Sequence, residues 1–253
     1  MKRVSPWVIF AASVVAIAGA GAARAVLPSY IVNAVADPAR PEADTQRDAT
    51  RHTAELMAFA QVKPGQKVAD YMPGAGFFTR VFAKIVGPKG HVYAEFPQFM
   101  ADFEKKEVAE IQALAADPNY ANVSDVVTPA GAFDTAEPLD LIWTSQNYHD
   151  LQFGLNHEQI LALDKAIYAA LKPGGTLIVI DHVAAPGTGW SVAAKLHRIE
   201  PKEIKADMKA AGFRLEAESR ILRNPKDDHT LIVFDPSIRG HTDQVAYRFR
   251  KPR

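Results

Sequence analysis

The sequence predicts an α/β fold: a doubly wound, mostly parallel sheet of seven strands that ends in an antiparallel hairpin. Short apolar runs alternate with segments of helical period between residues 48 and 211, which is typical of βαβ units. A turn that contains two glycines follows the first apolar run. Near the carboxyl end, two strand-like runs are joined by a short connection, which indicates the hairpin.

The first predicted βαβ unit occupies residues 68–96. Its first strand, 68–71, is apolar, and its second strand, 91–94, ends before Glu95. The helix between them begins after the glycine turn and has one apolar face at i, i+3, i+4, i+7 spacing. That face consists of Phe78, Val81, Phe82 and Ile85.

Glycines at the first turn and a carboxylate after the second strand form the arrangement that holds a nucleoside. Gly74 and Gly76 let the backbone approach a ligand, and Glu95 can accept two hydrogen bonds from a ribose diol. The pattern alone does not select the nucleoside. The structural alternative is that the glycines serve only the turn and that Glu95 is a solvated acid at a strand end.

The remaining elements follow in alternation. Helices are predicted at 48–60, 98–116, 156–171 and 201–211, and strands at 123–127, 139–143, 176–180, 213–222 and 230–234. Asn156 can cap the third of these helices, with Gln159 completing a capping box. Pro201 stands in the first turn of the last helix, and Gly212 follows its end.

The amino terminus predicts a signal peptide over residues 1–25. A positive start is followed by an apolar run over 7–20 and by the small-residue pattern Ala23-Arg24-Ala25, with Val26 as the mature start. We therefore expect export, to a bacterial periplasm, and no stable membrane association after cleavage. The alternative is an uncleaved single-span anchor, for which the apolar run is short.

The mature chain divides into a linker or arm over 26–47, one domain over 48–236, and a tail over 237–253 that can add an edge strand. The chain carries 29 basic and 29 acidic side chains, and residues 1–25 hold three of the basic ones and no acidic one. A mildly acidic mature protein argues against a nucleic-acid partner. The chain has no cysteine, which excludes disulfides, thiolate metal sites and a cysteine nucleophile.

Several motifs, in this order, resemble those of class I S-adenosylmethionine-dependent methyltransferases. They are D-Y-M-P-G-A-G over 70–76, similar to D-x-G-x-G-x-G; Glu95; L-I-W-T-S over 141–145; and L-K-P-G-G over 171–175. The resemblance spans about residues 48–235. The motifs N-P-K-D-D-H-T over 224–230 and R-G-H-T-D-Q over 239–244 resemble a little-characterised exported bacterial branch of that superfamily.

The resemblance implies a Rossmann-like class I fold and S-adenosyl-L-methionine as cofactor. The residues that match the family's cofactor site are Asp70, Met72, Gly74, Gly76, Glu95 and Phe96. Two positions depart from the pattern. Met72 replaces the first glycine, where a side chain can crowd the cofactor or reshape the turn. The acid that often contacts adenine is missing near residues 128–130.

The catalytic candidates are His149 and Asp150, which follow the fourth strand, where the acceptor would be presented. A neutral imidazole there can remove the acceptor's proton, and a structural role is the alternative. Asp181 and His182 face the same rim, and a metal site of all four residues is conceivable. Sequence neighbours on a strand point apart, so we expect no metal ion.

The resemblance thus implies methyl transfer to an unidentified small-molecule acceptor, and the charge balance argues against a nucleic-acid partner. The alternative is an exported, non-catalytic protein that retains the fold and binds another ligand in the cleft. The export signal and Met72 favour the alternative, whereas Asp70, Gly74, Gly76 and Glu95 favour the enzyme.

Overall fold

The protein folds around one seven-stranded sheet, in a computed structural model that describes residues 26–253. The predicted signal peptide lies outside the described residues. The strands are β1 (Lys67–Tyr71), β2 (His91–Pro97), β3 (Val123–Thr128), β4 (Leu139–Ser145), β5 (Leu171–His182), β6 (Arg214–Ser219) and β7 (Gln244–Arg250). Their order across the sheet is β3-β2-β1-β4-β5-β7-β6. Pairs among β1 to β5 are parallel, and β7 is antiparallel to both of its neighbours.

Helices pack around this sheet. They are α1 (Ser29–Val35), α2 (Glu42–Thr45), α3 (Asp48–Arg51), α4 (Thr53–Ala60), α5 (Phe77–Val86), α6 (Gln98–Phe103), α7 (Lys105–Ala116), α8 (His157–Ala170), α9 (Ala193–Leu196) and α10 (Pro201–Ala211). Short 3₁₀ helices occur at Gly87–Lys89, Pro118–Tyr120 and Tyr148–Phe153. The architecture confirms the predicted fold class, and the capping box of Asn156 and Gln159 is present at the start of α8. Within residues 26–253, no helix has the length and apolarity needed to cross a bilayer.

The last strand is not where the sequence placed it. Residues 230–234 form a loop rather than a strand, and β7 is formed by the segment that was expected to add an edge strand. The two segments differ in how far their apolar side chains are buried. In the predicted strand, Leu231, Ile232 and Phe234 are exposed, whereas Val245, Tyr247 and Phe249 of β7 are buried between β5 and β6. An apolar, alternating segment can occupy the interior position, and β6 is left as the edge strand.

Other element boundaries differ more modestly. The predicted helix 48–60 is divided at His52, which adopts a left-handed conformation with φ of 47°. The predicted helix 98–116 is divided at Glu104, between α6 and α7. The arm over 26–47 contains α1 and α2, and it belongs to the packed structure because Ile31 and Ala34 of α1 are buried in the core.

The central strands bring the candidate site residues to one edge of the sheet. Tyr71, at the end of β1, is in register with Glu95 on β2 and with Thr144 on β4. Ser145, at the end of β4, is in register with Ile180 on β5, one residue before Asp181. The carboxyl ends of parallel strands are where open α/β sheets bind ligands, so this edge is the place to look for a site.

Candidate functional site

The two glycines of the turn between β1 and α5 have different structural roles. Both adopt left-handed conformations, with φ of 53° at Gly74 and 80° at Gly76. A Cβ added at Gly74 would meet no atom within 4 Å, and Gly74 lines a cavity. A Cβ at Gly76 would lie 3.0 Å from Cδ1 of Ile111 on α7. Gly74 therefore leaves room for a ligand, whereas Gly76 allows close packing of the turn on α7.

Met72 adopts the left-handed backbone conformation that favours glycine. Its φ is 57°, and a non-glycine residue in this region is strained by roughly 1–2 kcal/mol. Two hydrogen bonds hold it: its backbone N–H donates to the carbonyl oxygen of Glu95 at 2.8 Å, and its own carbonyl accepts from Nδ2 of Asn147 at 2.6 Å. Asn147 was not identified from the sequence, because no motif marks it.

Asp70 lies at the carboxyl end of β1 and lines the same cavity as Gly74. Its Oδ2 accepts a hydrogen bond from the Thr79 hydroxyl at 2.7 Å. Burial raises the pKa of Asp70 to about 7, although the Thr79 hydrogen bonds and the charge of Arg51 act in the opposite direction. A buried carboxylate with few partners of its own can accept a hydrogen bond from a cationic ligand.

Glu95 is part of β2 rather than a residue that follows it, and its side chain is fully buried. Its Oε1 accepts from the Thr128 hydroxyl at 3.0 Å, and its Oε2 has no hydrogen-bond partner. Burial raises the pKa of Glu95 to about 8, against the hydrogen bonds from Thr128 and the Asp134 backbone. Segment 128–134 thus closes over the carboxyl group, and Glu95 lines neither cavity described below. Phe96 is buried in the core.

Two adjoining cavities open at this edge of the sheet, and both have volumes typical of ligand sites. The smaller, about 300 Å³, contains Asp70, Met72 and Gly74 and three further acids: Asp44, Glu104 and Asp150. The larger, about 570 Å³, contains Arg47, Arg51, Arg239, His182 and His241. Their shared wall consists of Arg47, Arg51, Phe78, Ser145, Gln146 and Phe234. Among the described residues that line the larger cavity, none is acidic.

Arg51 links the two cavities. Its guanidinium lies 4.4 Å from the ring centroid of Phe77 and 4.7 Å from that of Phe78, and its Nη2 donates to Oε1 of Gln146 at 3.0 Å. Burial, together with the charge of Arg47, lowers the pKa of Arg51 to about 10, so it remains protonated at neutral pH. This role of Arg51 was not predicted, because α3 carries no recognisable motif.

His149 and Asp150 lie in the 3₁₀ helix after β4 and meet a third side chain, His197, from the residue that follows α9. Nε2 of His149 is 3.0 Å from Oδ1 of Asp150 and 3.2 Å from Nδ1 of His197. Nδ1 of His149 lies 2.7 Å from Oδ1 of the buried Asp181. Burial would lower the pKa of His149, but the carboxylates of Asp181 and Asp150 outweigh it and raise this pKa to about 10.

His182 does not join this cluster. Its Nδ1 is 2.7 Å from Oγ1 of Thr242, and the residue lines the larger cavity. Burial, together with the positive charge of His149, lowers the pKa of His182 well below its usual value, so His182 is neutral. The structure therefore brings Asp70, Met72, Gly74 and Asp150 to one cavity and His182 to the other.

The two carboxyl-terminal motifs form one polar network. Asp227 of the first motif accepts from Arg198 and from the backbone N–H of Asp243 in the second motif. Asp243 accepts in turn from Arg223 and from the backbone N–H of Asn224. This network anchors the loop between β6 and β7, which carries Phe234 and Arg239 to the cavities.

The sheet order, the glycine turn after β1 and the acid on β2 define a class I methyltransferase fold. The model of the ubiE/COQ5 methyltransferase family matches residues 47–199, more than half of the chain. The chain belongs to this family. The match confirms the resemblance seen in the sequence and supports S-adenosylmethionine as the cofactor. Asp70 and Gly74 line the smaller cavity and fit the amino group of that molecule, whereas the carboxyl group of Glu95, the candidate partner of its ribose diol, is covered by segment 128–134.

Relatives agree at the level of family and fold. The demethylmenaquinone methyltransferase of Listeria monocytogenes serotype 4a (strain HCC23) is 27% identical over 138 residues, which cover 54% of this chain and 53% of that protein. The chain spans about half the length of the curated relatives it matches.

Two solved structures show the same fold. An Aquifex aeolicus SAM-dependent methyltransferase matches with a TM-score of 0.55 and 17% identity, covering 78% of this chain and 88% of that one. A possible exported protein from Bordetella parapertussis matches with a TM-score of 0.52 and 16% identity, covering 82% of this chain and 68% of that one. At such identities the similarity concerns the fold alone.

Proposed function

We propose that the protein transfers a methyl group from S-adenosylmethionine to a small anionic acceptor. The observation that carries this proposal is the pair of adjoining cavities of opposite character. The smaller contains the glycine turn and four carboxyl groups beside Arg47 and Arg51 of the shared wall, whereas the larger contains these two arginines, Arg239 and, among its described lining residues, no acid. Opposite charge in neighbouring subsites favours a cationic ligand in one and an anionic ligand in the other.

On the cofactor side, Asp70 would accept a hydrogen bond from the amino group, and Gly74 would let the ligand lie against the backbone. Glu95 would bind the ribose diol through its unpartnered oxygen once segment 128–134 has moved away. The bound cofactor supplies an electrophilic methyl group on a sulfonium. Family membership and this complementarity support the assignment.

On the acceptor side, Arg51 and Arg239 would hold the acceptor's anionic group. His182 is the neutral imidazole on this cavity and can form a hydrogen bond with an acceptor hydroxyl, although its lowered pKa makes it a weak base. Asp150 lines the smaller cavity, whereas His149 lines neither, so we assign His149 a positioning role behind Asp150. Positioning two reactants in one site is the main contribution that methyl transfer requires.

Calorimetry with S-adenosylhomocysteine tests the cofactor site in protein purified after expression of the full chain. Saturable binding is expected, and no binding at millimolar ligand would refute the proposal. The acceptor class is tested with pairs that differ only in charge, such as 4-hydroxybenzoate and its amide. The carboxylate should bind more tightly, and Arg51→Gln should reduce that difference. Equal affinities would show that the acceptor cavity does not select an anion.

One observation favours a second function, ligand binding without methyl transfer. The carboxyl group of Glu95 is closed off by segment 128–134, away from both cavities. If this closure persists, the ribose subsite is absent, and only the larger cavity receives a ligand. An anionic probe that binds while S-adenosylhomocysteine does not would support this function over the enzyme.

We further propose that the chain is exported, because residues 1–25 have the pattern of a cleavable signal peptide. Expression in a bacterial host, fractionation of the cells and amino-terminal sequencing test this directly. A periplasmic product that begins at Val26 is expected. A product that begins at Met1 and sediments with membranes would favour the uncleaved anchor.

A further inference from the structure

Three potential metal ligands converge at the rim of the smaller cavity. Nε2 of His149, Oδ1 of Asp150 and Nδ1 of His197 form a triangle with sides of 3.0, 2.9 and 3.2 Å. Two come from the 3₁₀ helix after β4, and the third comes from the end of α9. Segments distant in sequence thus supply one compact set of donor atoms.

If His149 and His197 are both neutral, hydrogen bonds cannot account for all three short contacts of this triangle. Asp181 accepts from the backbone N–H of His149 through Oδ2 and lies 2.7 Å from Nδ1 of the same ring through Oδ1. The proton of a neutral His149 therefore sits on Nδ1, and Nε2 carries a lone pair. His197 has at most one proton on Nδ1, which serves either His149 or Asp150. One short contact between acceptors remains, and either a second proton on His149, which Asp181 and Asp150 favour, or a metal cation at the centre would remove it.

The spacing and the chemical types of the donor atoms indicate which cation the site would bind. Four-coordinate zinc has bonds of about 2.0–2.1 Å, which place neighbouring tetrahedral ligands roughly 3.3 Å apart. The observed separations, 2.9 to 3.2 Å, are close to this value. Two imidazole nitrogens and one carboxylate oxygen suit Zn²⁺ and similar divalent transition ions, whereas Mg²⁺ and Ca²⁺ prefer oxygen ligands.

The surroundings also match those of a metal site. A carboxylate bonded to the far nitrogen of a ligating histidine fixes the ring and its tautomer, and Asp181 stands in that place for His149. Asp181 is fully buried, so its orientation is constrained by the core. Asp150 lines the smaller cavity, and Phe234, which packs on the ring of His197, lines both cavities.

We propose that His149, Asp150 and His197 bind a divalent transition-metal ion of the Zn²⁺ class, with Asp181 orienting His149. Three protein ligands leave one tetrahedral position open, as in catalytic zinc sites. If the proposed function holds, an oxygen of the molecule bound in the smaller cavity, which Asp150 lines, would complete the coordination. The metal site itself rests only on the side-chain geometry.

The test uses protein purified after expression of the full chain, stripped with a chelator and titrated with Co²⁺. Tetrahedral coordination should give visible absorption bands that Zn²⁺ abolishes by displacement. His197→Ala and Asp150→Asn should each weaken binding more than tenfold, and Asp181→Asn should weaken it by roughly 10- to 100-fold. His91→Ala is the matched control and should leave the affinity unchanged, because His91 bonds Ser124 at the start of β2.

Each variant is first shown to be folded by circular dichroism, and His197→Gln replaces His197→Ala if the latter unfolds. Co²⁺ binding that is unaffected by His197→Ala and Asp150→Asn would overturn the proposal. The proposal would also be overturned if ¹⁵N chemical shifts showed that His149 remains an imidazolium in excess Zn²⁺. Calorimetry with S-adenosylhomocysteine on the same metal-free samples separates failure of the metal site from failure of the proposed function.

Discussion

Arg198 and Asp227 form a buried ion pair with two hydrogen bonds, Nη1 to Oδ2 at 2.8 Å and Nη2 to Oδ1 at 3.1 Å. Neither side chain is more than 1% exposed. Arg198 also donates to the carbonyls of Val183 and Leu231, so most of its hydrogen-bonding capacity is used. The pair ties the segment after α9 to the loop between β6 and β7, and thereby fixes Phe234 beside the cavities.

Breaking this pair from one side should be costly. Asp227→Ala leaves the Arg198 guanidinium buried without its carboxylate, and such a loss costs about 3–5 kcal/mol. We expect urea denaturation to show a decrease of that order in the free energy of unfolding. Glu218→Ala is the control, because it removes an exposed partner of Lys205 and should cost less than about 1 kcal/mol. Similar costs for both variants would contradict the assigned role.

The buried carboxyl of Glu95 predicts a stability that falls as pH rises. Burial raises its pKa from 4.5 to about 8, so between these values the folded state holds a proton that the unfolded state has released. Stability is therefore full below about pH 4.5 and is lost as pH rises through 8. Asp70, whose pKa is raised from 3.8 to about 7, contributes in the same direction.

Glu95→Gln should reduce this dependence, because the amide keeps a hydrogen-bonding oxygen and cannot ionise. We expect the variant to exceed the wild type in unfolding free energy at pH 8.5, by an amount on the order of a few kcal/mol, and to differ little at pH 5. Urea midpoints at the two pH values measure the effect. Glu55→Gln, at an exposed position of α4, should change neither. Parallel pH profiles for wild type and Glu95→Gln would show that Glu95 is ionised in the folded protein.

The fold was predictable because apolar periodicity and turn residues are local features of the sequence. Several site residues were not predictable, because their roles depend on contacts between distant segments. The βαβ unit, α8 with its capping box and α10 lie where the pattern places them. The strand assigned to 230–234 was wrong because exposure of that loop depends on the network of Arg198, Asp227 and Asp243, which joins distant segments. His197 and Asn147 gain their roles only through partners far away in sequence.

Gly74 and Gly65 offer a paired test of the cofactor turn. Both have positive φ, 53° and 81°, and a Cβ at either would meet no atom within 4 Å. Alanine at each should cost roughly 1–2 kcal/mol of stability for the left-handed conformation. Only Gly74 lines the smaller cavity, so Gly74→Ala alone should weaken S-adenosylhomocysteine binding, by roughly tenfold or more in calorimetry. Equal loss of affinity in both variants would place the ligand elsewhere.

Asn147 should connect the stability of the turn to ligand binding. Its amide nitrogen donates to the carbonyl of Met72, and its amide oxygen accepts from the Thr144 hydroxyl, both in buried surroundings. Asn147→Ala leaves these two partners unsatisfied, which should cost about 1–3 kcal/mol in urea denaturation. Because Met72 holds a left-handed conformation without the freedom of glycine, its turn should relax once this bond is lost, and S-adenosylhomocysteine affinity should fall. Asn147→Ala combined with Met72→Gly should recover part of that affinity, since glycine adopts the turn unaided. No recovery in the double variant would mean that Asn147 acts on the ligand directly rather than through Met72.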